Sequence, residues 1–89
     1  MEQIFIGNKN ISKYITACLT ALHKNGELQI TARGHNIKRA VDVEEIVKRY
    51  MKKPEIIVTL GSEEYEDRNV STIDIIMKET DKNATKSAK

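Results

Sequence analysis

Read by the spacing of its apolar residues, the chain divides into six segments. Ile4, Phe5 and Ile6 sit in "QIFIG" at residues 3–7, a short apolar run that reads as a buried or half-buried strand closed by Gly7. Next, Ile11, Tyr14, Ile15, Cys18, Leu19 and Leu22 recur at i, i+3, i+4, i+7, i+8 and i+11, which is one face of a helix. Asn10 is its expected N-cap, and Asn25-Gly26 is a left-handed stop. At 27–34 the period falls to two: Leu28, Ile30 and Ala32 alternate with Gln29, Thr31 and Arg33, as in a strand with one buried face. Gly34 breaks it, and Asn36 is the expected cap of a second helix running through "IKRAVDVEEIVKRYMKK" to Pro54. Ile37, Ala40, Val41, Ile46, Val47, Tyr50 and Met51 share a broad face of that helix. Its Asp42, Glu44 and Glu45 precede Lys48, Arg49, Lys52 and Lys53, in line with the helix dipole and with i, i+4 pairing.

Two more strands are expected, at about 55–60 and 70–78, joined by the polar "GSEEYEDRN" into an antiparallel hairpin that extends past the body of the sheet. The order βαβαββ predicts an α/β two-layer sandwich, a four-stranded mixed sheet with two helices on one face. Residues 1–79 form one domain. The last stretch, 80–89, has no apolar anchor and is expected to be a disordered tail.

Composition narrows the class. At 89 residues with four aromatics and no tryptophan, the core is aliphatic and small; a chain of this size buries only about 60–65% of its unfolded surface. A second copy would add buried area. One cysteine, Cys18, excludes an internal disulfide and any multi-cysteine metal site, and its place on the apolar helix face makes it core. No apolar run approaches a membrane span, and the N-terminus lacks the order of a signal peptide, so a soluble intracellular protein is expected.

The formal net charge of +2 hides an asymmetry. Residues 1–53 hold ten Lys/Arg against five Asp/Glu, a balance of +5; residues 54–89 hold five against eight, a balance of −3. A field of that kind steers an anionic partner to one side. The basic half concentrates its charge in "ARGHNIKRAVD" at 32–42, where Arg33, His35, Lys38 and Arg39 surround the start of the second helix. Free N–H groups and the positive dipole end already make that start an anion site. Lys38 and Arg39 in the first turn oppose the dipole, at a few tenths of a kcal/mol each. Phosphate contact is the compensating gain.

This stretch also carries a family resemblance, together with "IFIGNKNISKYI" at 4–15 and "VSTIDIIMK" at 70–78. The chain resembles the Alba family, small dimeric nucleic-acid-binding proteins of archaea with eukaryotic relatives among RNase P/MRP subunits. The match spans nearly everything but the tail, and its most specific part is the arginine-glycine-x-asparagine-isoleucine core followed by basic residues and "AVD". The resemblance implies an initiation-factor-3 C-terminal-domain-like fold and a homodimer. It further implies binding of double-stranded DNA and of RNA without metal or cofactor, in the cytoplasm and on the chromosome. It places a dimer interface on the second helix and the third and fourth strands, with Val43, Val47 and Tyr50 as candidates.

In the family the first loop carries paired lysines and a proline, one lysine being an acetylation target. Here Asn8 stands at the first lysine, Lys9 at the second and Asn10 at the proline, which makes Lys9 the acetylation candidate. The family's hairpin is a further contact with nucleic acid, but this one reads Glu63, Glu64, Tyr65, Glu66, Asp67, Arg68, four acids against one arginine. It should contribute less than a basic arm, through Arg68 alone. The expected nucleic-acid surface is therefore Asn8, Lys9, Lys13, Arg33, His35, Asn36, Lys38, Arg39 and Arg68.

Catalysis has little support. His23 and His35 would have to meet as an acid–base pair, and nothing in their spacing joins them. No phosphate loop, metal-spaced cluster or nucleophile with an adjacent base is present, and no small-molecule substrate is indicated. The alternative reading is a scaffold subunit of an RNase P-like ribonucleoprotein particle. Only a direct binder must lose affinity when Arg33, Lys38 or Arg39 is neutralised.

Overall fold

Alternation decides which face of the sheet is covered. The computed structural model describes residues 1–81, and its elements are β1 (Gln3–Phe5), α1 (Ile11–Asn25), β2 (Glu27–Arg33), a one-turn 3-10 helix (Gly34–Asn36), α2 (Ile37–Lys48), β3 (Pro54–Tyr65) and β4 (Arg68–Glu79). The sheet order is β1-β2-β4-β3, with β1 parallel to β2 and the other pairs antiparallel. Leu28, Ile30 and Ala32 of β2 and Ile73, Ile75 and Met77 of β4 pack with Cys18, Ala21 and Leu22 of α1 and Ala40, Val43 and Val47 of α2 into one core. The expected two-layer α/β sandwich, with two helices on one face of a mixed sheet, is the fold of this chain.

Helix α1 begins and ends where its sequence says. Asn10 accepts from the Ser12 N–H at 3.1 Å, and Gly26 turns left-handed at φ 75° so that its N–H reaches Leu22 O. Gly34, at φ 57°, turns the chain from β2 into α2, a conformation a side chain would strain.

Other expectations need correction. Helix α2 stops at Lys48, well before Pro54, and Met51 folds back to pack against the core. Asn36 precedes α2 in a helical conformation, φ −81° and ψ −6°, and makes no side-chain cap bond; a cap needs an extended residue whose oxygen points back along the axis. Val43 and Val47, expected at a dimer interface, are fully buried in this chain's own core and have no surface to offer. Tyr50 is exposed. Finally, the polar "GSEEYEDRN" is not a link: β3 runs to Tyr65 and β4 starts at Arg68, leaving Glu66 and Asp67 as the turn.

Four register pairs, from Ser62↔Ser71 to Tyr65↔Arg68, lie beyond the last β2 pairing at Arg33↔Thr72. They form a two-stranded arm of about 14 Å at the usual strand rise. At the opposite end of β4 from this arm, Glu79 accepts the Lys52 and Lys53 N–H groups at 2.8 Å each. Thr80 is bonded to Lys53 O, and the rest of the expected tail, 82–89, lies outside the described residues.

Candidate nucleic-acid interface

The topology gathers the basic residues at one end. Because β1 and β2 are parallel, both deliver the chain to the same edge, where α1 and α2 begin. Neither helix has an acidic residue in its first turn. Two positive dipole ends therefore point the same way. Around them stand Asn8 and Lys9 of the β1–α1 loop, Lys13 of α1, Arg33 closing β2, His35 and Asn36 of the 3-10 turn, and Lys38 and Arg39 of α2. Asn8, Lys9, Lys13, Arg33, His35 and Lys38 are exposed.

Their roles differ. Buried Tyr14 organises the first loop: its hydroxyl accepts the Gly7 N–H at 2.9 Å and the Lys9 N–H at 3.0 Å. From the other side, Arg39 Nε donates to Gly7 O at 3.0 Å and its Nη2 donates to Lys9 O. Arg39 is thus a brace between α2 and the loop, holding the Lys9 backbone while the Lys9 side chain faces water. Lys38, one residue earlier, is exposed. Asn10, at the family's proline position, is the α1 cap.

Arg33 is engaged by the arm. Its Nη1 donates to Tyr65 Oη at 2.9 Å, its Nε lies 3.3 Å from Glu63 Oε1, and Tyr65 donates to the same oxygen at 3.1 Å. The arm thus places a carboxylate on the cation that closes β2. Arg68 opens β4 at the far end of the arm, beside an acidic turn.

The two histidines do not meet. His23 lies in the last turn of α1 and His35 follows β2, so the seven-residue length of β2, roughly 20 Å, separates them. Burial, with the Glu2 charge adding to it, pushes the Cys18 thiol up to about 12, so it stays protonated and inert. Among the described residues no cluster of His, Cys, Asp or Glu could hold a metal, and no helix is long and apolar enough to cross a membrane.

Three residues were missed in the sequence as parts of this end. Tyr14 was read as core; the signal was a hydroxyl on an otherwise apolar stripe, which must find a partner when buried. Glu63 was read as a repulsive surface charge. Phe5 was read as part of a buried run, yet it is 62% exposed, because alternation sends Ile4 and Ile6 inward and Phe5 out.

The Alba family profile matches residues 2–62, which takes in both helix starts and the loops before them and stops short of Glu63, Tyr65 and Arg68. The chain belongs to the Alba family. It is 42% identical over 83 residues to "DNA/RNA-binding protein Alba" of Methanocella arvoryzae, covering 84% of this chain and 86% of that one. It is 39% identical over 83 residues to the protein of the same name from Methanococcus maripaludis, covering 83% and 93%. Among solved structures it is similar to Alba from Thermoplasma volcanium, with TM-score 0.69, 33% identity and coverage of 86% of this chain and 99% of that chain. ALBA1 from Trypanosoma brucei shares the fold at TM-score 0.78 and 20% identity, covering 98% and 77%.

Proposed function

We propose that this chain is a non-catalytic nucleic-acid-binding protein that acts as a homodimer. It grips double-stranded DNA and RNA through their phosphates, with little regard to sequence, in packaging a chromosome or maintaining RNA structure. The observation that carries this reading is the meeting of two acid-free helix N-termini with Lys9, Lys13, His35 and Lys38 at one edge of the sheet. The names of its relatives, DNA/RNA-binding proteins, agree with it. Contacts of this kind position a backbone without reading letters. Lys9 is the residue whose acetylation would weaken the grip, since it would lose its charge at the tip of a braced loop.

The second copy has a place to dock. Register puts Ile56, Val58 and Leu60 on the helix side of the sheet, beside Met77, Ile75 and Ile73. Neither helix covers β3 there: Val58 is 53% and Leu60 70% exposed. With exposed Tyr50 nearby in sequence order at the end of α2, this uncovered apolar strip replaces Val43 and Val47 as the interface.

Two measurements test the reading. Titrations on two unrelated duplex DNA sequences and on duplex RNA at one salt concentration should give affinities within a few fold for the two DNAs. Strong preference for one sequence would contradict a phosphate grip. Sedimentation should give a dimer for the native chain and a monomer for Leu60→Lys; a native monomer would remove the twofold surface.

A further inference from the structure

Phe5 is out of character with its surroundings. The helix-free face around it is polar and already bonded within itself: Gln3 donates to Thr31 at 2.9 Å, and both Thr31 and Gln29 donate to Asp74, at 2.7 and 3.0 Å. An exposed phenyl ring there contributes nothing to the core. It borders a depression whose lining includes Thr31, Arg33 and Asn36. Asn36 is the second anomaly. Among the described residues its Oδ1 is the buried side-chain oxygen that accepts no hydrogen bond. Such an orphan is costly to the fold and calls for a reason. It does not cap α2.

An aromatic face bordering a depression, an unused acceptor buried in its Asn36 wall and Arg33 in its lining match one ligand chemistry: a flat heterocycle that carries an N–H donor and is attached to phosphate. We infer that this depression is a pocket for a single unpaired nucleobase, stacked on Phe5, with a ring or exocyclic N–H donated to Asn36 Oδ1 as that amide turns out from the wall to meet it. The inference rests on the nucleic-acid reading above and adds a second mode to it. In a duplex every base is stacked and paired, so only a single strand, a loop or an end supplies such a base. All four bases carry an N–H, so the pocket prefers unpaired strands over duplexes without selecting a letter. Arg33, in the lining, is positioned for the phosphate next to the captured base once Glu63 yields it.

The test compares three probes at one salt concentration: a single-stranded DNA dodecamer, a dodecamer of abasic tetrahydrofuran units with the same phosphates, and a blunt duplex. The native protein should bind the strand with bases at least about fivefold more tightly than the abasic strand, the lower end of what stacking one base on an aromatic ring gives. Phe5→Ile keeps a strand-forming apolar residue but removes the flat ring. It should bring that ratio close to one, with duplex affinity, dimerisation and thermal midpoint unchanged. Asn36→Ala should also shrink the ratio, without loss of thermal stability. A native ratio near one, a ratio that survives Phe5→Ile, or a dimer broken by Phe5→Ile would each overturn the pocket. Failure of the duplex to bind, with the ratio intact, would instead contradict the phosphate grip and leave the pocket standing.

Discussion

The β1–α1 loop and the β3–β4 arm both project from the same edge of the sheet, and they are built in opposite ways. The loop is short, fixed from beneath by Tyr14 and from the side by Arg39, and it presents Lys9 to water. The arm is long, held mainly by its own ladder with Val70 beside the Gly34 turn, and carries Glu63, Glu64, Glu66 and Asp67. Its one strong reach into the body is the Glu63–Tyr65 grip on Arg33. A rigid cationic loop loses little freedom when it meets a phosphate, whereas an acidic arm must first let go of an arginine. Binding should thus be a competition in which the loop attracts and the arm holds back.

Arg39→Ala strikes the rigid side hardest. It leaves Gly7 O and Lys9 O without their donors and unties the loop from α2. Stability should fall by about 1–3 kcal/mol, and duplex affinity by about tenfold or more, since both the brace and a positive charge are lost. Lys38→Gln removes a charge without the brace and should weaken binding less, with melting unchanged. Equal effects of the two would mean that Arg39 is only another phosphate contact. Chemical denaturation and fluorescence anisotropy separate these outcomes.

Glu63→Gln should act in the other direction. An exposed pair of this kind contributes little to folding, under about 1 kcal/mol, while freeing Arg33 should tighten duplex binding by about two- to threefold. A weaker binder would mean that the arm delivers Arg33 to the ligand rather than withholding it.

The smallest effect lies at the end of β4 opposite the arm. Partial burial alone would raise the Glu79 carboxyl, but the N–H groups of Lys53, Lys52 and Asp81 outweigh it and lower it below its usual 4.5. The carboxylate therefore adds stability that is fully present above the ordinary carboxylate range and is lost as the pH falls through the lowered value. Glu79→Gln should lower stability slightly at pH 7, and the difference from the native chain should close as the pH falls through the lowered value, which flattens that part of the acid melting curve. An unaltered acid limb would show that the clamp is not formed in solution.

The same contrast explains what could be read in advance. α1 was legible to the residue because an apolar stripe, a capping asparagine and an Asn-Gly stop all speak for it locally. The hairpin and its projection were legible too, but not that "GSEEYEDRN" is itself mostly strand, because strand prediction listens for burial alternation and this stretch buries nothing. Only cross-strand hydrogen bonding makes it β structure. Val43 and Val47 were misplaced for a different reason: the resemblance supplied them as interface candidates, and a resemblance does not say whether a helix residue meets its own sheet or a neighbour. At the candidate interface the residue types were legible, since charge at a helix start conflicts with the dipole and needs an explanation. The divided labour was not. That Arg39 braces, Arg33 is held and Lys9 and Lys38 stay open depends on backbone carbonyls and an arm that only the folded chain brings near.

The most direct test of a charge-held grip is the salt dependence of duplex binding. A dimer displacing counterions from about six phosphates should give a log–log slope near −5 on DNA, reduced by about two units when both copies carry Lys38→Gln. A slope near zero on both DNA and RNA would contradict the account.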